Sequence, residues 1–505
     1  MTLVDVQNLT VRFGGRAVVR DVSLTLRAGR CLAIVGESGS GKSVTARTLV
    51  GLTGGRAEVT ADRIALDGRD LRGLSDRAWR RIRGKEVGFV LQDALVSLDP
   101  LRKVGKEIEE GLRLHGWGTR RERQLKAVEL LGRVGVPEPA VRARQLPHEL
   151  SGGLRQRALI AAALALDPRL IVADEPTTAL DVTVQAQVLD LLRETKERGK
   201  ALILISHDLA VVAGLADDVA VMHDGRIVEH GPASQVLYRP EHEYTRSLLD
   251  AIPSRHSKGT RLSAAPGPVP PPRERVPDDR TVLRADGLVK RYRGPDGRDR
   301  TVVDGVSFTL AAGETLGVVG ESGSGKTTTA RLALALTEAD AGHVLLHEEP
   351  WTAVSRHERR GRRRHITVVY QDPLSSFDPR WNVERIVADS LPPDVPDPKA
   401  RVLALLRRVG LGEDHLRRRP LQLSGGQRQR VAIARALGPE PSVIVCDEPV
   451  SALDVSTQAQ VLDLLADLQA DLGVSYLFIS HDLGVIQHLS DRVLVMKDGR
   501  VVEEG

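Results

Sequence analysis

Two stretches of this chain combine residue types and spacing suited to gripping a polyphosphate. Gly36-Glu37-Ser38-Gly39-Ser40-Gly41-Lys42-Ser43 and Gly320-Glu321-Ser322-Gly323-Ser324-Gly325-Lys326-Thr327 both fit G-x-x-x-x-G-K-[ST]. Glycines carry no Cβ, so successive backbone N–H groups can turn toward phosphate oxygens. A helix beginning at the loop adds roughly half a positive charge there. Lys42 and Lys326 are placed to reach the terminal phosphates, and the hydroxyls of Ser43 and Thr327 to ligate Mg²⁺. Each loop follows an apolar run ("CLAIVG", "TLGVVG") and precedes a helical pattern ("SVTARTLVGL", "TTTARLALAL"). That strand-loop-helix context is what the motif requires.

Other chemistry recurs in the same order after each loop. Asp174 and Asp447 end apolar runs, where a carboxylate can hold a metal through water. Glu175 and Glu448 follow at once, placed to polarise an attacking water as general bases. His207 and His481 sit in "ISHD" after an apolar strand, and their recurrence points to a contact with the γ-phosphate; His115 and His343 lack such support. Gln92 and Gln371 lie where a strand breaks into a loop, so a neutral amide there can reach metal or water once the loop closes. Phe13 and Tyr292 stand out in a chain with 3% aromatics and are spaced to stack on adenine, with core packing as the alternative. Ser151-Gly152-Gly153 and Ser424-Gly425-Gly426-Gln427 open helical segments. A serine cap with bare glycine amides behind it offers a second anion site.

These groups need a mixed α/β frame, written twice. "FVLQDALVSLDP" is answered by "VVYQDPLSSFDP", "LIVADEPTTALDV" by "VIVCDEPVSALDV", and "LILISHDL" by "LFISHDL". β-Branched runs such as "CLAIVG" and "ALILISHD" predict buried parallel strands. "TVQAQVLDLLRETKERG" predicts a helix with Val184, Val188, Leu191 and Leu192 on one face. The alternating segments that open each half predict an antiparallel sheet beside the parallel core. The stretches before each "LSGG" predict a helical subdomain. Residues 1–252 are expected to form the first domain with a C-terminal extension, 253–280 a proline-rich extended linker, and 281–505 the second domain.

Composition narrows the classes further. At 505 residues and 41% hydrophobic content the chain suits two or more folded domains. A net charge of +5 selects no partner by itself. Only Cys31 and Cys446 are present, each in an apolar run, so both read as core residues and a cysteine-rich cluster is excluded. The opening "MTLVDVQNLTVRF" lacks the form of a secretory signal, and no apolar run is long enough to span a membrane.

Taken together, these words resemble the nucleotide-binding domains of ABC (ATP-binding cassette) ATPases: Walker A, Q-loop, "LSGGQ" signature, Walker B "DEP", D-loop "ALD" and switch histidine. The resemblance covers nearly all of both halves. It implies two tandem P-loop NTPase domains that pair within the chain, each ATP lying between one half's Walker A and the other half's signature. "QDPLSSFDPRWNV", "QDALVSLDPLRKV" and "LYRPEHEYTRSLLDAIPS" resemble the dipeptide, oligopeptide and nickel importer branch. The implied partners are two membrane permeases and, indirectly, an extracytoplasmic binding protein. The implied place is the cytoplasmic face of the plasma membrane, with Mg²⁺ as cofactor and no nucleic acid. Alternatives are a soluble twin-cassette factor acting on ribosomes or nucleic acid, or a fused sugar-importer ATPase. The first is disfavoured by a short proline-rich linker, and the basic run "RRGRRRH" reads as a solvated turn. The second is disfavoured because both halves keep Lys, Asp, Glu and His.

Three departures from the pattern carry expectations. The first signature reads "LSGGL", with Leu154 where Gln427 stands in the second, so the ATP between Lys326 and Ser151 is expected to turn over more slowly. The extension after the first half has no counterpart after "DGRVVEEG". Cysteines for the iron–sulfur cluster carried by some members of the branch are missing.

Overall fold

A computed structural model describes residues 2–91, 97–177, 180, 182–263, 278–293 and 299–505. The chain divides into two units, Met1–Leu249 and Asp250–Gly505. Each unit has two sheets and a set of helices, as the doubled sequence requires.

In the first unit a six-stranded sheet runs in the order Arg226–Pro232, Asp218–His223, Cys31–Val35, Ala201–Ile205, Leu170–Asp174, Val87–Val90. All neighbours are parallel except the pair Asp218–His223 and Arg226–Pro232. The central strands are apolar at nearly every position because both faces are covered. Leu32, Ile34, Leu170, Val172, Ile203 and Ile205 face one core, which they share with the antiparallel sheet. Cys31, Ile171, Ala173, Leu202 and Leu204 face another, filled by helices. The antiparallel sheet is built on Thr2–Phe13 and Arg16–Arg27, with Ala57–Thr60, Arg63–Leu66 and Arg69–Asp70 added. Helices Val104–Leu114, Arg120–Arg133 and Gly152–Ala163 pack together as the helical subdomain. In helix Val182–Glu197, Val188, Leu191 and Leu192 are buried and Val184 packs against the same core, which is the face the spacing predicts.

The second unit repeats the plan. Its parallel sheet runs Ile366–Val369, Val443–Asp447, Ser475–Ile479, Thr315–Gly320, Arg492–Lys497, Arg500–Glu504. Its antiparallel sheet is built on Asp278–Arg293 and Asp299–Ala312. Both cysteines are buried and free. Burial pushes the Cys31 thiol up to about 12 and raises Cys446 as well.

The start of the segment read as a linker has specific partners on the second unit. The Asp463 carboxylate accepts the Leu262 N–H at 3.0 Å, the Ser263 N–H at 2.8 Å and the Ser263 hydroxyl at 2.5 Å. Arg261 meets both Asp467 oxygens at 2.9 Å, and Lys258 pairs with Asp491. Composition cannot reveal this, because the anchors are isolated polar groups that meet carboxylates some 200 residues away. Residues 264–277 of that segment lie outside the described residues.

Candidate active site

Each glycine-rich loop leaves a central parallel strand and enters a helix, Lys42–Leu49 or Lys326–Ala333. Gly36 and Gly320 have φ of 146° and 154°, and a Cβ there would lie 2.1 and 2.2 Å from the carbonyl oxygens of Met222 and Met496. Only glycine fits so close to a neighbouring strand. Gly41 and Gly325 stand at the helix N-caps with no side-chain capping bond, so the opening amides are not spent on a side chain. The loops curl around their lysines. Lys42 Nζ donates to the carbonyls of Gly36 at 2.7 Å and Glu37 at 2.6 Å; Lys326 Nζ donates to Gly320 at 2.7 Å and Glu321 at 2.8 Å. Both ammonium groups therefore sit at the loop mouth. Ser40 and Ser324 are buried, whereas Ser38, Gly39, Ser322 and Gly323 are exposed.

The hydroxyls and carboxylates expected to hold Mg²⁺ converge in both units. Ser43 Oγ donates to Asp174 Oδ1 at 2.9 Å, and Thr327 Oγ1 donates to Asp447 Oδ1 at 3.1 Å. Asp174 Oδ2 is buried with no hydrogen-bond partner among the described residues. Burial raises the pKa of both aspartates against the opposing bonds from Ser43 and Thr327. A buried orphan carboxylate oxygen beside a hydroxyl fits a hard cation. Among the described residues no cluster of three or more His, Cys, Asp or Glu side chains is placed to hold a metal.

Glu175 and Glu448 follow with φ of 50° and 49°, an uncommon conformation for glutamate. Their N–H groups are pinned to Ile205 and Ile479 carbonyls at 2.9 and 3.0 Å. The turn aims each carboxylate at a histidine: His207 Nδ1 lies 3.4 Å from Glu175 Oε2, and His481 Nδ1 lies 3.1 Å from Glu448 Oε2. In the second unit Gln371 Nε2 also donates to Glu448 Oε2 at 2.9 Å. Burial acts to raise the Glu448 pKa, but the His481 bond and the charges of His481 and Lys326 outweigh it and leave it lowered. The Glu448 bond raises His481 against its own burial. His207 is also raised, burial opposing and Glu175 prevailing. Gln92, the first unit's counterpart of Gln371, lies outside the described residues.

The remaining expected residues are more dispersed. Ser151 accepts the Leu154 N–H at 3.4 Å, and Ser424 accepts the Gln427 N–H at 3.2 Å, each capping its helix. Gly152 and Gly425 are exposed, but a Cβ on Gly153 or Gly426 would lie 2.8 Å from Val184 or 2.3 Å from Thr457. Phe13 is half-buried against the core of the first unit. Tyr292 is 41% exposed, with Lys290 Nζ 5.6 Å from its ring centre. The two aromatics thus have unlike surroundings.

Sequence reasoning passed over Asp208 and Asp482. Each caps the helix after its histidine: Asp208 accepts N–H groups of Ala210 and Val211, and Asp482 those of Gly484 and Val485. Their own N–H groups donate to Ser206 and Ser480 at 3.0 Å. These turns fix where the histidines stand, and the full repeated word "SHD" was the signal for them.

The sequence model of the ABC transporter family matches residues 19–178 and 303–451. The glutathione import ATP-binding protein GsiA of Shigella dysenteriae serotype 1 (strain Sd197) is 43% identical over 533 aligned positions, covering 99% of this chain and 85% of its own length. The protein of that name from Escherichia coli (strain K12) matches to the same extent. A solved dimeric ATP-binding cassette in a post-hydrolysis state, bound to ADP and phosphate, is 28% identical over 44% of this chain and 97% of its own, with a TM-score of 0.41. With family sequence running through both halves, the chain belongs to the ABC transporter family and is an ATP-hydrolysing transporter ATPase.

Proposed function

We propose that this chain energises an importer of small peptides, with glutathione the first cargo to test. The observation that carries this reading is 43% identity to a glutathione import ATP-binding protein along 99% of the chain. Cargo would be selected by two membrane permeases and an extracytoplasmic binding protein. Among the described residues no helix is long and apolar enough to cross a membrane, and the chain would act from the cytoplasmic face.

In the proposed cycle Lys42 and Lys326, with the loop amides, hold the β- and γ-phosphates of ATP. Ser43, Asp174, Thr327 and Asp447 would hold Mg²⁺, which when bound neutralises charge on the phosphates. Glu175 and Glu448 each orient a water and accept its proton. Glu448 stays ionised at neutral pH because His481 and Lys326 hold its pKa down, so it is ready to act as a base. Gln371 and His481 position that carboxylate through the bonds given above, and His207 does the same for Glu175. Following the family resemblance, Ser151 and its glycines face the ATP held by Lys326, and Ser424 and its glycines face the ATP held by Lys42. Phe13 and Tyr292 are proposed to stack on adenine.

The test is uptake into liposomes bearing the chain, two membrane permeases of a peptide importer and their binding protein. ATP-dependent entry of labelled glutathione or a dipeptide, lost in Lys42→Ala/Lys326→Ala, is the expected result. Entry of Ni²⁺ without peptide would overturn the cargo assignment while leaving the ATPase intact.

A further inference from the structure

Helix Glu243–Asp250 lies within "LYRPEHEYTRSLLDAIPS", after the last strand of the first unit's parallel sheet. Two kinds of contact seat it. Glu229, on the edge strand Arg226–Pro232, accepts the N–H groups of Glu241 at 2.8 Å and His242 at 3.1 Å. Thr245, Leu248 and Leu249 are buried along the helix.

So seated, the helix aims Tyr244 at the phosphate loop. The phenol oxygen accepts the Glu37 N–H at 3.1 Å. The ring rests on His223, with centroids 4.0 Å apart and planes tilted by 34°. His223 ends the strand Asp218–His223, which pairs in parallel with Cys31–Val35, the strand that launches the loop. Glu37 is held from both sides, because its carbonyl also receives Lys42 Nζ at 2.6 Å. The residue that ends the matching strand of the second unit is Lys497, so the aromatic shelf under Tyr244 is a property of the first unit.

We propose that Tyr244 is a positioning residue for the first nucleotide site, fixing the loop in its phosphate-receiving shape before nucleotide arrives. A glycine-rich loop left untethered samples many conformations, and binding must then remove them. A hydrogen bond at its second residue removes part of that freedom beforehand. The inference rests on the reading of residues 36–43 as a phosphate loop, and the experiment separates the two.

Binding of a fluorescent MgATP analogue is titrated on the full chain carrying Lys326→Ala, which leaves the first loop as the intact one. Tyr244→Phe removes the hydroxyl and keeps the ring. Affinity is expected to fall about fivefold, the worth of one ordinary hydrogen bond. Any fall in melting temperature should be no larger than the loss of this one bond accounts for, and the same substitution should leave binding unaffected in a Lys42→Ala background. Equal affinity with and without the hydroxyl would overturn the proposal, as would an equal loss in both backgrounds. Undiminished binding in Lys42→Ala/Lys326→Ala would instead overturn the phosphate-loop reading itself.

Discussion

Helices Gly152–Ala163 and Gly425–Leu437 grow from the same Leu-Ser-Gly-Gly word, yet their first turns are locked differently. Ser424 is capped in return, because the Gln427 side-chain oxygen accepts its N–H at 3.0 Å. Gln427 Nε2 also lies 3.3 Å from His415 Nε2. In the first unit Leu154 has no amide to offer, and its side chain packs partly buried against the helical core. One substitution therefore exchanges a reciprocal polar lock for an apolar one at the turn that presents the serine and glycines. Two cassettes that share the same Lys, Asp, Glu and His words need not present matching first turns at this helix.

Both units carry the same glutamate–histidine pair, and removing both proposed bases tests whether their chemistry is shared. Glu175→Gln/Glu448→Gln should lower steady-state ATP hydrolysis by about 10²–10⁴-fold with nucleotide binding retained. A variant within a few-fold of wild type would assign catalysis elsewhere.

Exchanging the signature residues sharpens the contrast. Gln427→Leu should lose the reciprocal bond, weaken the second helix start by about 1 kcal/mol and bring the two sites toward equal rates. Leu154→Gln should let the first turn gain that bond and raise turnover at its slower partner. Site-resolved hydrolysis and thermal unfolding of the two variants measure both effects.

The smallest effect is a pH dependence. His481 has a raised pKa, so the stability it contributes is full below the unfolded histidine value of about 6.5 and is lost as pH rises through its folded value. Glu448 has a lowered pKa, so its contribution is present above the unfolded value of about 4.3 and is lost as pH falls through its folded value. The melting-temperature advantage of wild type over His481→Gln should therefore be largest between those limits and shrink on either side. An advantage flat across pH 4–9 would remove the pair from the account.

The parts of the site carried by repeated words were legible in the sequence. Lys42 and Ser43 sit where strand, loop and helix are adjacent in sequence, and continuous apolar runs announce the strands that carry Asp174 and Asp447. Contacts made by single polar groups across long separations were not legible. Nothing local to Tyr244 points to Glu37, 207 residues earlier. Asp463 likewise gives no sign that it will receive Leu262 and Ser263. The left-handed backbone of Glu175 and Glu448 is also silent, because glutamate is not a residue whose presence announces positive φ. The reciprocal cap at Gln427 could have been read from its spacing of three from Ser424, a capping-box pattern that Leu154 breaks.

Both sites are proposed to hydrolyse ATP, at unequal rates, and residual turnover in the two single-base variants separates them. If each Walker A loop pairs with the opposite signature, as proposed, Glu175→Gln leaves only the site facing Ser151 and Leu154, and Glu448→Gln leaves the site facing Ser424 and Gln427. Slower turnover is expected in Glu175→Gln than in Glu448→Gln. Equal rates, or the opposite order, would contradict it.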